Sequence, residues 1–85
     1  VIKMQKSLIK SYVKNMSKED IYNFIDKNGY DATNNEVDII YDHIKKYYNV
    51  FFDNPIYYIK KLQGKISYNN YYLILELFNK YKNFI

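Results

Sequence analysis

Few residues of this 85-residue chain have side chains that could perform chemistry. The chain has one histidine and no cysteine, which removes disulfides, thiolate nucleophiles and thiolate metal sites. His43 follows Asp42 and lies five residues after Asp38, so it lacks the helical i, i+4 histidine pair of a zinc site. No second titratable group is spaced to orient it as a general base. We therefore expect a solvated or locally hydrogen-bonded His43, and no catalytic residue, cofactor or metal.

The segment Asp26-Lys27-Asn28-Gly29-Tyr30-Asp31 contains the residue types of a calcium loop without their spacing. Such a loop needs oxygen ligands at its odd positions, glycine at the sixth and glutamate at the twelfth. Counting from Asp26 places Val37 where the glutamate should be. Counting from Phe24 places Gly29 correctly but makes a phenylalanine the first ligand. The segment is instead typical of a helix end, with Gly29 in the left-handed conformation.

Capping residues divide the chain into five predicted helices. Thr33, followed three residues later by Glu36, forms a capping box and is the clearest local signal in the sequence. Ser17 and Asp20 have the same spacing. The other starts and stops are indicated by Asn54-Pro55, Ser67, Gly29 and Gly64. Since no strand alternation is present, we predict one all-α domain over residues 1–85, a small compact bundle of about five helices with long helices at both termini.

Each predicted helix carries apolar residues at helical spacing, which should face a shared core. In chain order these stripes are Leu8, Ile9, Tyr12, Val13 and Met16; Ile21, Phe24 and Ile25; Val37, Ile40, Tyr41, Ile44 and Tyr48; Ile56, Ile59 and Leu62; and Tyr71, Ile74, Leu75, Phe78 and Tyr81. The first helix should extend from about Ile2 to Asn15. The run 49–53 breaks the period of the third helix, and we predict a buried connector there with Phe51 and Phe52 in the core.

Lysine supplies all thirteen basic residues, and the net charge of +4 is unevenly distributed. Residues 1–16 and 54–85 each carry +4, whereas residues 17–53 carry −4. Basic grooves interleaved with aromatic rings bind single-stranded nucleic acid. The absence of arginine argues against a dedicated reader of phosphates or bases, and an AT-rich genome would produce the same composition. The candidate basic patch consists of Lys3, Lys10, Lys14, Lys60 and Lys61.

Twelve tyrosines and five phenylalanines are more aromatic residues than a core of this size can enclose. Tyrosine is enriched at protein interfaces, because its ring buries a large area while its hydroxyl stays satisfied. Codon bias is the competing explanation. The candidate interaction surface consists of Tyr57, Tyr58, Tyr68, Tyr71 and Tyr72. We expect a protein partner, most simply a second copy in a homodimer. No apolar run approaches a membrane span of roughly 20 residues, so no membrane partner is expected, and no small-molecule substrate is indicated.

Several segments, taken in order, resemble those of the YqfT-like family of short proteins from low-GC Gram-positive bacteria. The matching segments are Met16-Ser17-Lys18-Glu19-Asp20-Ile21, the capped third helix, Asn49-Val50-Phe51-Phe52-Asp53, and Ile66-Ser67 leading to Leu77-Phe78-Asn79. The resemblance covers most of the chain through helix caps and hydrophobic positions, although this chain is richer in tyrosine. It implies a cytoplasmic bacterial protein and supplies no active-site residues. We therefore expect a non-catalytic interaction or adaptor module, with a nucleic-acid-binding accessory protein as the alternative.

Overall fold

Helices begin in the structure where the sequence places capping residues. A computed structural model describes residues 6–82 of the chain. The helices are α1 (Lys6–Lys14), α2 (Lys18–Lys27), α3 (Asn34–Tyr47), α4 (Pro55–Lys60) and α5 (Tyr68–Tyr81), with a 3-10 turn at Phe51–Asp53. Within residues 6–82 no strand occurs, which confirms the predicted all-α bundle. The predicted extension of the first helix to Ile2 lies outside the described residues.

Both predicted capping boxes are present. The Thr33 hydroxyl accepts from the Glu36 amide at 3.1 Å, and the Thr33 amide donates to Glu36 Oε1 at 3.4 Å. The Ser17 hydroxyl accepts from the Asp20 amide at 3.1 Å, and the Ser17 amide donates to Asp20 Oδ2 at 2.9 Å. The first turn of a helix leaves these amides without intrahelical partners. The caps therefore fix where α2 and α3 begin.

The end of α2 has the glycine geometry that the sequence predicts. Gly29 has a φ of +83°, a conformation that side chains with a Cβ rarely adopt. The Tyr30 amide donates to the Ile25 carbonyl at 3.2 Å, and the Gly29 amide donates to the Asp26 carbonyl at 2.9 Å. This pair of bonds defines a Schellman motif. Tyr30 also packs against the core, so the segment turns the chain from α2 toward α3.

The Glu36 carboxylate connects the start of α3 to the start of α5. Its Oε2 accepts from the Ser67 amide at 2.7 Å and from Asn70 Nδ2 at 3.1 Å. Asn70 is 1% exposed, and its Nδ2 also donates to the Asp31 carbonyl at 2.8 Å. Two acceptors fix the orientation of the amide, and Oδ1 has no protein partner among the described residues. The first turn of α5 is therefore anchored to the connection between α2 and α3.

The buried core joins α2, α3, α4 and α5. Its members are Ile21, Ile25, Val37, Ile40, Ile59, Leu62, Ile66, Tyr71 and Leu73. The stripes predicted all of these except Ile66 and Leu73. On α5 the predicted core residues Ile74, Leu75 and Phe78 are only half-buried, although they do pack against the core.

The stripe predicted for α1 is wider than the face that α1 buries. Leu8 and Tyr12 were expected in the core, but both are mostly exposed. The main contact of α1 is with α3, and the Lys45 ammonium of α3 donates to the carbonyl of Lys14 at the α1 C-terminus. One helix partner covers one narrow face, which leaves the rest of the stripe in solvent.

The prediction of a buried connector at 49–53 is correct only for Phe51, which packs against the core. Val50 is exposed, while Phe51 and Phe52 are half-buried in the 3-10 turn. The Phe51 ring meets the Phe78 ring edge-on, with 6.1 Å between centroids. A second correction concerns Ile56, which was expected in the core and is exposed on the short helix α4.

Thr33→Ala should lower the free energy of unfolding by about 0.5–2 kcal/mol, because the Glu36 amide loses its capping acceptor. Urea denaturation measures the effect. Thr33→Ser keeps a hydroxyl and should retain most of the stability. An alanine variant as stable as the parent would mean that this cap does not support α3.

Glu36→Gln should lower the free energy of unfolding at pH 7 by about 1–2 kcal/mol, because the three hydrogen bonds to the carboxylate lose its charge and the glutamine nitrogen cannot accept any of them. Partial burial raises the pKa of Glu36, but bonds from Ser67, Asn70 and Thr33 outweigh it, so the pKa is lowered. A lowered folded-state pKa adds stability above the unfolded pKa of about 4.3, and this stability is lost as the pH falls through the folded value. The difference in urea midpoint between parent and variant should therefore shrink in acid.

The matched control is Glu76→Gln on the exposed side of α5, which should leave the midpoint unchanged at both pH values. A Glu36→Gln deficit that is equally large at pH 7 and pH 3 would contradict a role for the carboxylate charge.

Candidate functional site

The helices surround an apolar cavity that the sequence did not indicate. Its volume is about 500 Å³, and its wall is almost entirely apolar. All five helices contribute to it. The apolar and aromatic lining residues are Ile9, Tyr12, Val13, Met16, Ile21, Phe24, Ile25, Ile40, Ile44, Tyr47, Tyr48, Phe51, Phe52, Tyr58, Ile59, Leu62, Ile74, Leu77 and Phe78.

The cavity lies toward the second halves of α3 and α5. The core residues that do not line it are Val37, Ile66, Tyr71 and Leu73, which are close in the chain to the anchored starts of these helices. The cavity therefore lies away from Glu36, along the second halves of α3 and α5.

Two lining residues mark the opening of the cavity. Tyr12 on α1 is 69% exposed and Phe24 on α2 is 37% exposed, although both contribute to the wall. The cavity therefore reaches solvent between α1 and α2. Lys10 also contributes to the wall and is half-buried, so its aliphatic stem covers apolar surface.

The volume is large relative to the stability of a chain this short. Enclosed cavities cost about 24 cal/mol per Å³, or about 12 kcal/mol at this volume, whereas an 85-residue domain has about 4–13 kcal/mol in total. Because the cavity is open to solvent, its cost is lower than this value. Water molecules inside it would need polar partners, however, and this wall offers few. The site is therefore suited to an apolar occupant.

His43 lies in the cavity wall, half-buried and hydrogen-bonded, so it is not the solvated residue that was one of the two expectations, and its hydrogen-bond partner is 15 residues away in the chain. Its Nε2 lies 2.7 Å from the Tyr58 carbonyl, and its ring meets the Tyr47 ring edge-on at 4.8 Å. A carbonyl only accepts, so Nε2 carries the proton and cannot itself act as a base. Burial lowers the pKa of His43, against the effect of the Tyr58 hydrogen bond, and neighbouring lysines lower it further.

No cluster of three or more histidine, cysteine or acidic side chains suited to a metal ion occurs in the part of the chain that the structure describes. Within that part, no helix has the length and hydrophobicity that crossing a bilayer requires.

In the structure the five tyrosines of the predicted surface do not form one patch. Four of them form two pairs of contacting rings, and the fifth is buried in the core. Tyr68 and Tyr72 stack on α5 with 4.4 Å between centroids, and Tyr57 meets Tyr58 on α4 at 5.0 Å. Tyr71 is only 6% exposed and belongs to the core, so its assignment to an exposed surface is wrong. On a helix Tyr71 lies about 60° from Tyr68 and about 100° from Tyr72, on the side that faces the core, and its ring still meets the Tyr72 ring edge-on at 6.0 Å.

The predicted basic patch is divided between α1 and α4. Lys10 and Lys14 lie one turn apart on α1, whereas Lys60 and Lys61 follow each other at the end of α4. The Lys61 ammonium lies over the rings of two tyrosines, 4.8 Å from the nearer centroid. Lys3 lies outside the described residues.

No family model matches the chain, and neither a curated protein nor a solved structure does. The resemblance to the YqfT-like family stays a prediction.

The stability of the protein should fall as the pH is lowered from about 7.5 to 5.5, because the folded state resists protonation of His43. Its folded pKa lies below the unfolded value of about 6.5, so the stability is complete above that value and declines below it. His43→Gln is neutral throughout and can still donate to the Tyr58 carbonyl. Its urea midpoint should change less over this pH range. Equal slopes for parent and variant would contradict the assignment.

Proposed function

We propose that this chain is a non-catalytic protein-interaction module that associates with a second copy of itself through Tyr68 and Tyr72. The observation that carries the proposal is the exposure of this ring pair. The two side chains are 71% and 42% exposed, yet their rings are already in contact. A hydrogen bond between the hydroxyls raises the pKa of Tyr68, since that bond favours the protonated form.

The backbone beneath the pair is held firmly. Ser67 caps α5 by accepting from the Asn70 amide at 3.3 Å, and both residues bond to Glu36. Tyr71, between the two exposed rings in sequence, is buried in the core. Such a platform loses little conformational freedom on binding, which favours association.

A symmetric dimer is the simplest use of one exposed patch, because a two-fold axis brings identical surfaces together. Two tyrosines bury at most about 300–500 Å², whereas a stable interface buries about 800 Å² per partner. The pair would act as the central contact of a weak dimer whose remaining area comes from surrounding surface. A cytoplasmic location belongs to the same proposal and rests on the cysteine-free composition.

Nucleic-acid binding through the basic residues is the alternative. Lysines lie over the rings of Tyr41, Tyr47 and Tyr57 at 4.8–5.7 Å, where they occupy ring faces on which bases would stack. These contacts argue against base stacking on those three rings. Phosphate contacts weaken steeply with salt, while an aromatic interface should persist.

Analytical ultracentrifugation should show a monomer–dimer equilibrium at about 10–100 µM, the range expected for a weak interface. The double variant Tyr68→Ser/Tyr72→Ser should be monomeric there, because it loses the central contact. Tyr57→Ser is the matched control, an exposed tyrosine on α4 whose loss should leave the equilibrium unchanged. A parent chain that stays monomeric, or a dimer that survives the double substitution, would refute the proposal.

A further inference from the structure

We propose that the cavity binds the hydrocarbon tail of a long-chain carboxylate, whose carboxylate pairs with Lys10 of the cavity wall. This inference is independent of self-association, because neither Tyr68 nor Tyr72 lines the cavity.

The size and wall of the cavity select a hydrocarbon. Its volume of about 500 Å³ falls within the roughly 300–1,000 Å³ of small-molecule sites, and its wall is mostly aliphatic and aromatic carbon. The His43 Nε2 is engaged by the Tyr58 carbonyl at 2.7 Å. An inserted peptide backbone would find few partners for its amides and carbonyls in such a wall, whereas an alkyl chain requires none.

The charged residues of the cavity wall indicate which head group the ligand carries. Asp20 and Lys10 are the two fully charged residues that contribute to it. The Asp20 carboxylate accepts from the Ser17 amide at 2.9 Å and lies at the positive end of α2, which offsets its charge. Lys10 lies half-buried on α1 and contributes to the wall, and a lysine in such a position covers apolar surface with its stem while keeping its ammonium in water. An anionic head group beside this part of α1 would pair with that ammonium.

The test is displacement of the fluorescent reporter 1-anilinonaphthalene-8-sulfonate by hexadecanoate below its micelle-forming concentration. The parent should show saturable, stoichiometric displacement. Lys10→Gln should weaken hexadecanoate binding about two- to fivefold, as for a solvent-exposed ion pair, and should leave binding of 1-hexadecanol unchanged. No saturable displacement, or an equal effect of Lys10→Gln on acid and alcohol, would overturn the proposal.

Two adjacent residues of α5 provide a matched pair of blocking variants. Ile74 lines the cavity, whereas Leu73 is buried in the core outside it. Ile74→Phe should fill empty volume, leaving Tm unchanged or raised, and should weaken hexadecanoate binding at least about tenfold. Leu73→Phe should overpack the core and lower Tm by several degrees.

Val13→Phe repeats the blocking test from α1, on another side of the cavity. If Ile74→Phe and Val13→Phe unfold or lose stability as Leu73→Phe does, the chain has no room at this site and the proposal fails. It fails equally if both fold and still bind hexadecanoate like the parent. Tyr68→Ser/Tyr72→Ser should bind hexadecanoate normally, which separates this test from that of self-association.

Discussion

The Glu36 carboxylate, in the first turn of α3, also binds the start of α5 at Ser67, 31 residues later in the chain. It completes the capping box of α3 through Thr33 and accepts from the Ser67 amide and the Asn70 side chain of α5. Helix starts leave amides unpaired, and a single carboxylate satisfies them at both places. The most deeply buried side chain of the described residues, Asn70, depends on this contact. Val37, the next residue of α3, is buried in the core beside this contact.

The cavity lies away from the contact that Glu36 makes with α5. The second halves of α3 and α5 border the cavity, and α1 closes its remaining side through contact with α3. Two polar contacts near α1 lie at the protein surface. Lys45 donates to the α1 C-terminus, and Lys18, which follows α1, pairs with Asp38 of α3 at 3.0 Å, where both side chains are about half-exposed. Such surface contacts contribute little stability. The α1 side is therefore the part of the wall that opens at least cost.

The caps and turns of this fold could be predicted from the sequence, whereas the way in which its helices pack against one another could not. The caps at Thr33 and the glycine turn at Gly29 depend on residues within a few positions, so spacing alone identified them. Periodicity identified Ile21 and Ile40 as core residues. It failed for Tyr12, because a stripe shows which face is apolar but not whether another helix covers it. The cavity arises where five such faces do not meet, and no single stripe records that.

The two proposed sites share α5 but lie at different points along it. The tyrosine pair sits on the first turns, directly above the anchor, while the cavity is lined by Ile74, Leu77 and Phe78 further along. The helix has 14 residues and is about 21 Å long. Because Glu36 holds its start through Ser67 and Asn70, an occupant of the cavity should displace its second half more than its first turns. Filling the cavity should therefore leave the geometry of the tyrosine pair intact, so the two binding events should be energetically independent.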